Sequence, residues 1–166
     1  MLQPTVRRTW APKGCTPIHK SWDRRDRLSA ISAVTVSPKR KRLGLYFDII
    51  GRNVKTDDFE EFIAKLLRRL GRPIILVVDR WSVHRCAAKR LRTHFGKRIH
   101  VEWLPAYAPD LNPDEQVWNR TKYSDLANFI PDDATHLGLA VADSLRRTRR
   151  QQKLLRSFFQ HAKLPL

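Results

Sequence analysis

The apolar run Pro73–Val78 (PIILVV) constrains the fold of this chain more than any other stretch. A short, continuous run of branched apolar residues is typical of a strand buried on both faces of a mostly parallel sheet. Amphipathic helices are predicted on either side of it, one capped by Thr56 or Asp57 and running to about Leu70, and one from about Val83 to Phe95. A strand between two such helices favours an α/β domain with helices on both faces of its sheet.

The remaining pattern extends the predicted order to β-β-α-β-α-β-α-α. The other predicted elements are strands over Leu28–Val36, Leu43–Ile50 and Ile99–Leu104, a helix from Pro113 and a helix over about Ala134–Arg150. The first two strands flank a basic turn, Ser37–Arg42, and are expected to pair as a hairpin. We divide the chain into a domain over residues 1–150 and a basic, apolar tail over residues 151–166.

The net charge of the chain indicates which class of partner it binds. Lys and Arg number 33 against 16 Asp and Glu, which gives a formal net charge of +17. DNA is the expected partner because neutralised phosphates release counterions. Membrane is not expected, since no apolar run approaches the roughly 18 residues of a spanning helix, and a cytoplasmic, nucleoid-associated protein is predicted. The residues expected to hold the DNA backbone are Arg24, Arg25, Lys39, Arg40, Lys41, Arg42, Arg80, Arg146, Arg147, Arg149 and Arg150.

Asp79 follows the apolar strand directly. In open α/β sheets, functional groups collect beyond the carboxyl ends of the strands, so a carboxylate there can face a cleft. The alternative is an Asp in a turn that caps the next helix through its side chain. The sequence leaves both roles open for Asp79.

Glu115 lies at the start of a predicted helix. Asn112 is a good N-cap, Pro113 suits the first helical position, and Glu115 follows three residues after the cap. This arrangement is a capping box, which explains Glu115 without any function. The functional alternative requires a partner carboxylate, and Asp79 is the candidate. Two hard oxygen ligands at one strand end would suit magnesium.

Two segments, VVDRWSVH (Val77–His84) and LPAYAPDLNPDEQVW (Leu104–Trp118), resemble the second and third catalytic motifs of mariner-like insertion-sequence transposases. A third, RRTWAPKGCTP (Arg7–Pro17), resembles the stretch that follows the first catalytic strand in that family. The resemblance covers roughly residues 1–130. It implies a ribonuclease-H-like mixed sheet with flanking helices.

The resemblance also implies roles for individual residues. Asp79 matches the second catalytic Asp and Glu115 the third acidic residue, so both would be ligands of Mg²⁺ or Mn²⁺. The implied reaction is two-metal hydrolysis and strand transfer at DNA phosphodiester bonds, with transposon ends and target DNA as partners. His84 matches a His that commonly follows the second Asp, and a helix-start or packing role is favoured for it. Arg80 stands where the family more usually has Asn.

The first catalytic Asp of the family is the largest departure. It lies on a strand ahead of the TWAPKG-like segment, whereas this chain has no acidic residue before Trp10. Asp23 and Asp26 come after that segment, in a stretch of alternating charges. We therefore expect an amino-terminal truncation that removes the central strand and leaves a gap, with unpaired backbone groups, between the hairpin and the Asp79 strand.

Two functions are compatible with the lack of the first catalytic Asp. The first is the catalytic-core portion of a DDE transposase, inactive alone without the first Asp, which self-associates or associates with a full-length or upstream transposase chain. The alternative is a non-enzymatic DNA-binding fragment that interferes with full-length transposase. Metal-dependent nicking of DNA distinguishes the two.

Overall fold

A computed structural model describes residues 7–15, 28–106, 108–164 and 166 of the protein. The strands are β1 (Ser29–Val36), β2 (Leu43–Ile50), β3 (Ile74–Val78) and β4 (Ile99–Trp103). The α-helices are α1 (Thr56–Leu70), α2 (Ser82–Phe95), α3 (Pro113–Arg120), α4 (Ala134–Arg150) and α5 (Gln152–His161). A π-helical turn, Thr121–Asp125, continues α3. The predicted α/β order is confirmed, and α5 is an addition to it.

The two faces of the β1–β2 hairpin contact different hydrophobic cores. The strands pair antiparallel, with Ile31 opposite Asp48 and Val34 opposite Leu45. Because side chains alternate along a strand, Ile31 enters a first core with α1 and α2, whereas Leu45 enters a second core with α3, α4 and α5. Helices therefore cover both faces of the hairpin, as the sequence predicts.

The second sheet, β3 and β4, is parallel and covered on one face only. Leu76 and Val78 face the first core and are 8% and 9% exposed, whereas Ile75 and Val77 are 70% and 56% exposed. The prediction that this strand is buried on both faces is therefore wrong. The helices α1 and α2 cover one face, and in the described ranges nothing covers the other.

In the described ranges, backbone hydrogen bonds do not join the two sheets. Among the residues that the structure describes, β1 pairs only with β2, and β3 pairs only with β4. One edge of β1 and one edge of β3 are therefore unpaired within these sheets. Ile31 of β1 and Val78 of β3 nevertheless belong to the same core. A missing strand between the hairpin and the Asp79 strand stays a prediction.

Residues 152–161, which the sequence analysis places in a tail, form α5. Leu155, Phe158 and Phe159 are at most 8% exposed and lie in the second core. The Gln152 side chain pairs with the Leu43 backbone, accepting from its N–H at 2.9 Å and donating to its carbonyl at 2.8 Å. The spacing of the three apolar residues is helical, so α5 packs as an amphipathic helix against the hairpin.

Candidate metal centre

Asp79 follows β3 and uses one carboxylate oxygen for local contacts. Its Oδ1 accepts hydrogen bonds from the Trp81 backbone N–H at 3.0 Å and from His84 Nδ1 at 2.6 Å. The side chain is 56% exposed, and Oδ2 makes no hydrogen bond to the described residues. No side-chain bond caps α2. Asp79 therefore supports the turn before α2 without capping the helix, and one carboxylate oxygen stays accessible.

Glu115 lies in the first turn of α3 and is exposed. Asn112 is the N-cap, as predicted, and its side chain accepts from the Asp114 N–H at 3.1 Å. The predicted capping box is not formed, because the Asn112 N–H that Glu115 would need already donates to the Pro109 carbonyl at 2.9 Å. Within the described ranges the Glu115 carboxylate has no hydrogen bond or ion pair, so it is available to a ligand.

One hydrogen bond fixes the backbone beside Asp79, and another fixes the start of α3 beside Glu115. The Leu104 N–H donates to the Val78 carbonyl at 2.9 Å, immediately before Asp79. The start of α3 is attached to β1 by a hydrogen bond of 2.6 Å from Ser32 Oγ to Asp114 Oδ2. Among the described residues, no group of three or more His, Cys, Asp and Glu could hold a metal ion. A site built on Asp79 and Glu115 would therefore need water or phosphate oxygens as further ligands, and a shared metal ion stays a prediction.

Asp114 is a buried carboxyl that the sequence analysis missed. Its Oδ2 accepts from Ser32 Oγ and, at 3.1 Å, from Trp118 Nε1, whereas its buried Oδ1 has no partner in the described part of the chain. Burial raises the pKa of Asp114 to about 6, against the lowering effect of these hydrogen bonds, and the neighbouring Glu115 raises it further. The only sequence signal is the spacing of Asp114 and Trp118, which places them on one helical face.

Replacing Asp114 with Asn is expected to remove a pH dependence of stability. The folded-state pKa of about 6 lies above the ordinary value of 3.8, so the folded protein binds this proton more tightly than the unfolded chain. The stability from Asp114 is therefore complete below about pH 4 and is lost as pH rises through 6. The loss amounts to roughly 3 kcal/mol. Asn keeps an acceptor for Ser32 and Trp118 but carries no charge.

Urea unfolding of the parent and of Asp114→Asn at intervals from pH 4 to pH 8 measures this difference. The free energy of unfolding of the variant relative to the parent should rise between pH 4 and pH 8. The exposed Asp110→Asn is the control and should show no such rise. A difference between parent and Asp114→Asn that is the same at both ends of the range would contradict the expectation.

His84 has the packing role that the sequence favours and a second contact besides. Its side chain is 17% exposed. The ring centroid lies 4.4 Å from that of Phe59 and 5.2 Å from that of Trp81, which meets it edge-on. The hydrogen bond to Asp79 is the additional contact. It joins positions five residues apart across the turn into α2, where periodicity gives no indication of side-chain direction.

The basic residues expected on DNA lie in several places. Arg24 and Arg25 lie outside the described residues. The exposed residues are Lys39, Arg40, Lys41 and Arg42 in the β1–β2 turn, Arg80 beside Asp79, and Arg146, Arg147, Arg149 and Arg150 at the end of α4. Arg146 pairs with Asp143 at 2.8 Å, and Arg147 lies 3.9 Å from Asp125. None of the helices in the described ranges is long and apolar enough to cross a membrane.

Arg156 of α5 adds a cation that the sequence analysis did not single out. Its guanidinium donates to the carbonyls of Arg40 and Lys41 at 3.0 and 2.9 Å. These bonds fix the basic turn, in which Arg40 has a positive φ of 52°. Arg156 and the turn therefore form one basic surface, and DNA binding by it stays a prediction.

Comparison with known proteins agrees with the motifs. The family described as DDE superfamily endonuclease matches residues 1–136. Among solved structures, the crystal structure of the Mos1 strand transfer complex matches with a TM-score of 0.54 and 16% identity, over 98% of this chain and 50% of that chain. The chain thus spans half of the Mos1 chain and shares its fold, which confirms the ribonuclease-H-like class. No curated protein matches. The chain belongs to the DDE superfamily endonuclease family, which confirms the predicted DDE domain.

Proposed function

We propose that this chain is the catalytic-core portion of a DDE transposase that acts on DNA phosphodiester bonds by metal-dependent hydrolysis and strand transfer. The observation that supports this proposal most is that the carboxylates of Asp79 and Glu115 are accessible to a ligand. Each lies in a motif of the family, is exposed, and has a carboxylate oxygen without a hydrogen bond to the described residues. Such hard oxygen donors fit Mg²⁺ or Mn²⁺.

The residues of this chain would bind and orient the reacting groups. Strand β3 fixes the backbone before Asp79, and the Asn112 cap with the Ser32–Asp114 bond fixes the start of α3 before Glu115. Bound divalent ions would activate a water or a DNA 3′-hydroxyl for in-line attack at phosphorus. Arg80, exposed beside Asp79, would attract the phosphate.

We further propose that these 166 residues alone do not cleave DNA. Asp79 and Glu115 correspond to two of the three acidic residues of the family, and no residue of this sequence matches the first. Within the described ranges, one edge of β1 and one edge of β3 have no strand partner, which supports a specific completion. An Asp-bearing strand, supplied by an upstream segment or by another transposase chain, would pair with these edges.

A second candidate function is a DNA-binding fragment that interferes with full-length transposase without catalysis. The formal charge of +17 and the exposed basic turn favour it. This function needs neither Asp79 nor Glu115, because binding to the phosphate backbone depends on cations alone.

Metal binding tests the proposed centre without requiring cleavage. Asp79→Asn and Glu115→Gln are each expected to weaken Mn²⁺ affinity by about tenfold, or about 1.4 kcal/mol, since each removes one of two charged protein ligands. Titration with Mn²⁺, followed by electron paramagnetic resonance of the free ion, measures the affinity.

Two exposed acids serve as matched controls in this titration. Asp110→Asn and Glu102→Gln remove the same charges elsewhere and should leave Mn²⁺ affinity within about twofold, because long-range charge effects are screened by salt. Equal weakening by the controls, or no weakening by either site variant, would exclude a metal centre at Asp79 and Glu115.

A further inference from the structure

The Asp79 carboxylate is held asymmetrically. Trp81 N–H and His84 Nδ1 both contact Oδ1, at 3.0 and 2.6 Å, and in the described ranges no hydrogen bond reaches Oδ2. An ionised carboxylate accepts hydrogen bonds and donates none, so His84 must carry a proton on Nδ1. Two donors on one oxygen restrict rotation of the carboxylate and leave the other oxygen accessible.

His84 is itself held by packing against α1, in addition to its bond to Asp79. Its ring contacts Phe59 of α1, which is 5% exposed, at a centroid distance of 4.4 Å. The helix α2 that carries His84 packs into the first core through Ala87, Ala88 and Leu91, each at most 3% exposed. The direction of the Nδ1–H group is therefore set by the packing of α1 and α2.

We propose that His84 is a positioning residue that directs Asp79 Oδ2 toward the metal and phosphate while remaining outside the coordination itself. This inference rests on the proposed function, in which Asp79 is a metal ligand. The terminal torsion of an Asp side chain has a broad preference, so an Asp79 carboxylate held by the Trp81 N–H alone is less restricted and must be ordered further on binding. Hydrogen-bond partners of ligating carboxylates typically change metal affinity by about 10- to 100-fold.

Substitutions at His84 separate the effect of its hydrogen-bond donor from the effect of its ring packing. His84→Phe keeps a ring against Phe59 but has no donor, whereas the Nδ2 of His84→Asn can occupy nearly the position of Nδ1 but loses the ring contact. We expect His84→Phe to weaken Mn²⁺ affinity about tenfold, and His84→Asn to restore it to within about threefold of the parent. His84→Leu provides a second donor-free variant if His84→Phe does not fold.

The experiment measures Mn²⁺ affinity and the melting temperature of every variant, with Asp79→Asn as a reference. If His84 has a purely structural role, His84→Asn should lower both the Mn²⁺ affinity and the melting temperature more than His84→Phe does. That result would overturn the inference. If Asp79→Asn weakens binding and both donor-free variants bind like the parent, the inference fails and the proposed metal centre stands. If Asp79→Asn also binds like the parent, the proposed centre itself fails.

Discussion

Duplex DNA is expected to bind this chain without sequence preference, with an affinity that falls about 10³- to 10⁵-fold between roughly 50 and 200 mM salt if about six to ten phosphates are contacted. The reason is the formal charge of +17, together with the placement of its cations. The turn Lys39–Arg42 is exposed and fixed by Arg156, and Arg149 and Arg150 are exposed at the end of α4.

Binding isotherms at several salt concentrations measure this effect. The logarithm of the association constant should fall by about 0.9 per logarithmic unit of salt for each neutralised phosphate. Replacing Lys39 and Lys41 with Gln should therefore reduce the slope by up to about 1.8. The matched control is Lys65→Gln with Arg90→Gln, which removes two cations already paired with acids, and its slope should change less. A flat salt dependence, or no binding at low salt, would exclude DNA as the partner.

The order of helices and strands was predictable because local patterns determine it. Helix α1 ends at Leu70 and helix α3 begins after the Asn112 cap, both as the sequence predicts. The predicted cap of α1 at Thr56 or Asp57 is wrong, because the N-cap is Lys55. The burial of β3 was not predictable, because a continuous apolar run does not show whether a second layer covers Ile75 and Val77. That depends on which elements are present to pack there.

The sequence was sufficient to predict which residues form the candidate site, but not which contacts these residues make. The motifs identify Asp79 and Glu115 as candidate site residues. Each also has a possible structural role, Asp79 in a turn and Glu115 in a capping box, and only the structure tests these roles. The capping box has the right spacing, but the Pro109 carbonyl takes its donor. The bond between Ser32 and Asp114 joins residues that are 82 positions apart. No local pattern encodes such a contact, so the buried Asp114 escaped notice.

Strand cleavage is the second large effect that we expect. These 166 residues alone should not cleave DNA, whereas the same chain completed by an Asp-bearing strand should do so. Phosphoryl transfer requires stabilisation of the entering and leaving oxygens together, and two carboxylates cannot hold two ions as three can. Losing one ligand is expected to raise the barrier by several kcal/mol, and each 1.36 kcal/mol changes the rate about tenfold. A reduction of about three orders of magnitude follows for a loss of about 4 kcal/mol.

Nicking of supercoiled plasmid with Mn²⁺ tests the role of Asp79 and Glu115 most directly. The chain is assayed as it stands and with an Asp-bearing strand added at its amino end, each beside Asp79→Ala, Glu115→Ala and the control Asp110→Ala. We predict nicking only by the completed chain, retained in Asp110→Ala and lost in the other two variants. Nicking by the chain as it stands that disappears in Asp79→Ala would contradict the proposal that these residues alone do not cleave DNA. Nicking by the completed chain that persists in both Asp79→Ala and Glu115→Ala would contradict the metal centre itself.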